Sequence, residues 1–116
     1  MLKAYDHVVE ALKTEGFGIV TEINMQSTLK TKLNKDIKPY IILGACNPLF
    51  AYNALNIEAH IGTMLPCNII LREVEDGTTE VSAIDPVASM QAVDNIDLIE
   101  MAGEVRQKLH SKINTL

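Results

Sequence analysis

The chain has 116 residues, with ten Lys+Arg against fifteen Asp+Glu and a formal charge of −5. This length fits one compact domain spanning residues 1–116, and the acidic balance excludes a dedicated DNA- or RNA-binding surface, which needs a clustered basic footprint. A hydrophobic share of 47% supplies a core and excludes a disordered chain, and no run reaches the about 20 apolar residues of a membrane span.

Tyr5, Val8, Val9 and Leu12 recur at helical spacing, with Asp6, Glu10 and Lys13 on the other side. Lys3 to Glu15 therefore reads as an amphipathic helix stopped by Gly16. Phe17 to Ile23 is short and β-rich, a strand. Asn24 caps a second helix in which Met25, Leu29 and Leu33 recur every four residues. Pro39 ends the loop that follows, and the apolar run Tyr40 to Ala45 reads as a central strand buried on both faces.

Asn47-Pro48 is a helix start, because Asn caps well and Pro is pre-set for the first helical position. The helix from Pro48 to about Glu58 exposes Asn53 and Asn56 and buries some of Leu49, Phe50, Leu55 and Ile57. A loop with His60 and Gly62 leads to Pro66. Cys67 to Val74 and Thr78 to Ile84 then form a hairpin. A two-residue loop would set Glu73 opposite Glu80, a like-charge clash. A three-residue loop of Glu75, Asp76 and Gly77, with Gly77 left-handed, pairs Arg72 with Glu80, Leu71 with Val81 and Ile69 with Ala83. The same register sets Asp85 across from Cys67. Asp85-Pro86 opens a short helix to about Val93. A last helix starts near Asn95, with Ile99, Ala102, Val105, Leu109 and Ile113 as its core stripe and charges that follow the macrodipole. The order α-β-α-β-α-β-β-α-α predicts an α+β two-layer sandwich, with helices packed on one face of a mostly antiparallel sheet.

Chemistry concentrates in two short words, Gly44-Ala45-Cys46-Asn47-Pro48 and Leu65-Pro66-Cys67-Asn68. Cys46 ends a strand directly before a helix N-terminus, where amide donors and the positive dipole end favour a thiolate. Cys67 starts a strand. Antiparallel neighbours would bring the two thiols to one end of the sheet, and parallel strands would hold them at opposite ends. Burial as small inert residues is the plain alternative for both. Asn47 and Asn68 are polar neighbours able to orient a ligand or to satisfy backbone. Asp85 is a helix cap, or a base where a pocket adjoins it.

Cys46, His60, Cys67 and Asp85 are all acceptable zinc ligands, but their spacing matches no zinc pattern, so no metal site is expected. There is no CxxC, GxGxxG, Walker loop, GxSxG or HExxH, and nothing in the residues names a cofactor or a reaction. Asp6 and Glu10 stand where a signal peptide needs its apolar centre, and two cysteines are too few to staple the fold. Both point to a cytoplasmic protein with reduced thiols.

With GFGIVTEI (16–23), TLKTKL (28–33), KPYIILGACNP (38–48), IGTMLPCNIIL (61–71) and VSAIDP (81–86) in this order, the chain resembles the family catalogued as domain of unknown function 302, in the branch carrying both cysteine words. The resemblance implies an α+β fold with helices on one side of a sheet, a homodimer, and no established reaction. It carries Gly44, Cys46, Asn47 and Pro48, then Pro66, Cys67 and Asn68, then Asp85 and Pro86 as the positions expected to line any shared pocket. Family members usually place a strand before the first helix. Little chain precedes Tyr5 here, so that strand is either missing or replaced by a dimer contact at an open sheet edge. The expected function is binding of a small molecule or thiol-reactive species near Cys46, Cys67 and Asp85. The alternatives are a non-catalytic protein-interaction domain and, behind it, metal binding.

Overall fold

The structure is a computed structural model that describes residues 2–75, 77–85, 103 and 107. Helix α1 (Leu2–Lys13) leads to strand β1 (Gly18–Asn24), helix α2 (Met25–Leu33), strand β2 (Tyr40–Cys46) and helix α3 (Pro48–Ile57). A 3-10 turn, Ile61–Met64, precedes strands β3 (Cys67–Glu75) and β4 (Thr78–Ala83). The helix expected from Asp85-Pro86 lies outside the described residues, and of the last expected helix only positions 103 and 107 are described, both helical.

The local signals act as the residues dictate. Gly16, at φ +82°, ends the turn that closes α1, with Phe17 N–H donating to the Leu12 carbonyl at 3.0 Å. Asn24 caps α2 by accepting from Ser27 N–H at 3.0 Å. The C-terminus of α2 is set by Asn34, whose left-handed φ of 53° lets its N–H reach the Leu29 and Lys30 carbonyls.

The sheet order is β1-β2-β3-β4, every neighbouring pair antiparallel. With helices packed against this sheet the protein is α+β, a two-layer sandwich. Cys67, Ile69 and Leu71 of β3 pair with Ala45, Leu43 and Ile41 of β2, so these residues share one face. Val8 and Leu12 of α1 and Phe17 pack onto that face, and Val8, Leu12, Leu43, Ile69 and Leu71 are essentially inaccessible to water. At the rim, Tyr5 hydrogen-bonds the Glu22 carboxylate, and its phenol pKa is raised by that bond. Strand β2 is central, as expected, but its second face is only partly covered, since Ile42 keeps some exposure.

The hairpin register matches the charge argument: Arg72 opposes Glu80, Leu71 opposes Val81 and Ile69 opposes Ala83. The route to it differs from the expected three-residue loop. Glu75 pairs with Thr78, and one extra residue between the Glu73–Thr79 and Glu75–Thr78 pairs restores the register. Arg72 then forks onto Glu80, Nε to Oε1 at 2.9 Å and Nη2 to Oε2 at 3.2 Å. The bidentate bond raises the guanidinium pKa and lowers that of the carboxylate. Helix α3 exposes Asn53 and Asn56 as expected, but none of its four candidate core residues is fully buried. It buries Ala54 and half-buries Phe50 and Ile57, while Leu49 and Leu55 join Tyr52 on an exposed apolar stripe.

Candidate functional site

The antiparallel β2–β3 ladder decides where the two cysteine words lie. Ala45 opposes Cys67 and Gly44 opposes Asn68, so both words gather at one end of the sheet. Both cysteines are free thiols. Strand alternation assigns them to opposite faces, because Cys67 shares the core face with Ala45 whereas Cys46 follows it on the outer face.

That difference sets their chemistry. Cys67 is buried, and loss of hydration pushes its thiol pKa up to about 11, with Cys46 nearby as a smaller cause. A thiol held protonated at neutral pH is a poor nucleophile. Cys46 is only half-buried and stands directly before Asn47, the N-cap of α3. Its Cα partner on β1 is Gly18, where an added Cβ would meet nothing within 4 Å. Among the described residues, nothing therefore fills the β1 flank of Cys46.

Gly44 locks the two words together. A Cβ there would lie 2.5 Å from Cγ of Pro66 and would also collide with Oγ1 of Thr21 on β1. Only glycine lets the Pro66 ring and the Thr21 hydroxyl close over β2 from either side. Thr21 and Pro66 thus frame the outer face beside Cys46. A glycine inside an otherwise apolar strand was the available signal for such a close approach; the identity of its neighbours was not.

Asn47 is fully engaged in structure. Its Oδ1 accepts from Phe50 N–H at 3.4 Å, while Nδ2 donates to the Glu15 carbonyl at 3.2 Å. The side chain ties the start of α3 to the turn between α1 and β1. Asn68 is exposed, and its carbonyl accepts from Ile84 N–H at 3.0 Å. The recorded β3–β4 pairs run to Ile69–Ala83; continuing that register carries the half-buried Asp85 toward the position opposite Cys67.

His60 stands away from this end in its interactions. Its ring is 94% exposed, and both its N–H and Nδ1 engage the Glu58 carboxylate, whose pKa is lowered chiefly by the backbone bond. Among the described residues no three His, Cys, Asp or Glu side chains gather in a way that would hold a metal ion. No described helix is long and apolar enough to cross a membrane.

Comparison with known proteins agrees with this architecture. A crystal structure described as that of an uncharacterized conserved protein DUF302 from Bacillus stearothermophilus superimposes with a TM-score of 0.90 at 28% sequence identity, covering 98% of this chain and 88% of that one. No curated protein matches the chain. The sequence model of the domain of unknown function DUF302 matches residues 1–116, and the chain belongs to that family.

Proposed function

We propose that the protein is a cytoplasmic homodimer that binds a small molecule or a thiol-reactive species at the sheet end bearing Cys46, Cys67 and Asp85. The observation that carries this reading is the β2–β3 register, which brings the two cysteine words to one end and leaves open space beside Cys46 at Gly18. Cys46 is the thiol that meets the ligand. Cys67 is the second thiol, behind it on the core face, and Asp85, carried toward Cys67 by the strand register, is the base or orienter at that side of the sheet end. Exposed Asn68 is available at the rim, whereas Asn47 holds the frame.

Homodimerisation is supported by the open edge of the sheet. Strand β1 is one of the two edge strands among the described residues, and Val20 and Ile23 on it are 60% and 45% exposed. Pairing with a second copy would cover both the unpaired backbone and these side chains.

The test combines native mass spectrometry of untagged protein, purified under reducing conditions, with iodoacetamide labelling at pH 8. The expected result is a dimer whose Cys46 is labelled while the fold is intact. If both thiols resist until the chain unfolds, the thiol site is wrong. Exposed Leu49, Tyr52 and Leu55 on α3 favour a second reading, a non-catalytic interaction domain. In that case a Cys46→Ser, Cys67→Ser variant keeps partner binding undiminished.

A further inference from the structure

We propose that the thiol site at Cys46 is completed by a second copy of this chain, whose Met25 supplies the missing wall and makes the site a slot for an uncharged, apolar ligand. The inference rests on the homodimer and the thiol site put forward above.

Among the described residues of one copy that wall is absent. Cys46 opposes Gly18, the first residue of β1, and a Cβ at Gly18 would meet nothing within 4 Å. No described strand lies beyond β1, so the open flank of Cys46 and the edge of the sheet coincide. Of the two described edges this one is the more apolar: β1 exposes Val20 and Ile23, whereas β4 exposes Thr78 and Glu80.

A bulge shapes the edge for pairing with itself. On a regular strand, residues three apart face opposite ways. Val20 is the extra residue between the Ile19–Ala45 and Thr21–Gly44 pairs. It therefore follows core-face Ile19 onto the outer face, which Ile23 shares with Ile42, Gly44 and Cys46. Val20 and Ile23 are symmetric about the Thr21–Glu22 peptide. A two-fold axis there, normal to the sheet, sets each Val20 against the partner's Ile23 and avoids placing the two Glu22 carboxylates opposite each other.

Antiparallel pairing reverses the strand, so the partner subunit's Met25, which opens α2, arrives beside Gly18. Two inter-strand spacings, roughly 10 Å, then separate Cys46 from the partner subunit's Met25, with the bare Gly18 backbone between them. Met25 of the same chain cannot take this place. Its neighbour Asn24 pairs with Ile41, five residues of β2 from Cys46, roughly 17 Å at strand rise. The residues flanking Met25 are committed, Asn24 to Ser27 N–H and Gln26 to the Ile37 carbonyl, while Met25 is half-buried and has no polar group to satisfy. Cys46, Val20, the partner's Ile23 and the partner's Met25 bring no formal charge to the slot, so an ion entering it would lose hydration without compensation. An uncharged apolar molecule matches the thiol and the polarizable thioether on either side.

The test is a cross-link in the full chain carrying Met25→Cys. Bis-maleimidoethane is expected to link position 25 of one copy to Cys46 of the other, giving a covalent dimer that Cys46→Ser abolishes and that peptide mass mapping locates. Sedimentation of the same sample separates the readings. A dimer without that link overturns the composite site and leaves the homodimer standing, whereas a monomer at every concentration overturns both. The parent protein should also react at Cys46 roughly tenfold faster with neutral methyl methanethiosulfonate than with its anionic sulfonatoethyl analogue, and a dimeric Met25→Lys variant should lose that preference. A preference unchanged by Met25→Lys would overturn the proposal even in a dimer, and a Cys46 inert to both reagents would overturn the thiol site beneath it.

Discussion

Replacing Gly44 by alanine tests the closure that joins the two cysteine words. Without that closure the substitution would stabilise: a buried methyl is worth about 0.8 kcal/mol, and restricting the unfolded chain adds about 0.4–1 kcal/mol. With it, the new Cβ falls 2.5 Å from the Pro66 ring and collides with Thr21 Oγ1. The Pro66 contact is about 1 Å inside the optimum for carbon pairs. Thr21 can turn about χ1, but the proline ring has little freedom, so β2 must move from one of its partners. Overpacking of this kind costs about 1–3 kcal/mol, and two collisions at one buried atom belong at or above the top of that range. Gly44→Ala is therefore expected to lose about 1–2 kcal/mol net, read by urea denaturation at unchanged m-value. The control is Gly18→Ala, whose Cβ meets nothing within 4 Å; it should stay within about 0.5 kcal/mol of the parent or gain slightly. Equal stability of Gly44→Ala and Gly18→Ala would refute the Gly44–Pro66 approach.

The raised thiol pKa of Cys67, about 11 against 9.0, makes the unfolded chain lose this proton first, so stability present below pH 9 declines as pH rises toward 11. The decline is about 2–3 kcal/mol at most, and a Cys67→Ala variant should lack that slope when the two unfolding profiles are subtracted. Asn47→Ala removes both a helix cap and the bond to the Glu15 carbonyl and should cost about 1–2 kcal/mol in chemical denaturation. Asn47→Asp keeps the cap and should recover part of it, whereas full recovery would show that the Glu15 bond contributes nothing. Ile23→Lys places a charge on the open β1 edge and should shift the proposed dimer toward monomer in sedimentation at fixed concentration; a dimer left unchanged by it would move the proposed interface elsewhere, with the α3 stripe next in line.

Local chemistry alone determined much of this protein. Asn24 and Asn47 open helices because their side chains cap within three residues, and Gly77 takes the positive φ of the hairpin turn. The Arg72–Glu80 pairing followed from avoiding like charges across a ladder. Each is an interaction between near neighbours, so the residues themselves carry the information. The exposure of Leu49 and Leu55 was not legible in the same way, since periodicity marks a face but does not say whether anything covers it. Nor did the two cysteine words reveal their distance. Only the choice of β3 as the antiparallel neighbour of β2 brought them to one end, while the pleat sent the thiols to opposite faces. The same choice closed Pro66 over Gly44 and set Tyr40 opposite Arg72. Strand partnership is a long-range packing decision, made by burying Leu43, Ile69 and Leu71 together under Val8 and Leu12, and no spacing within the chain encodes it.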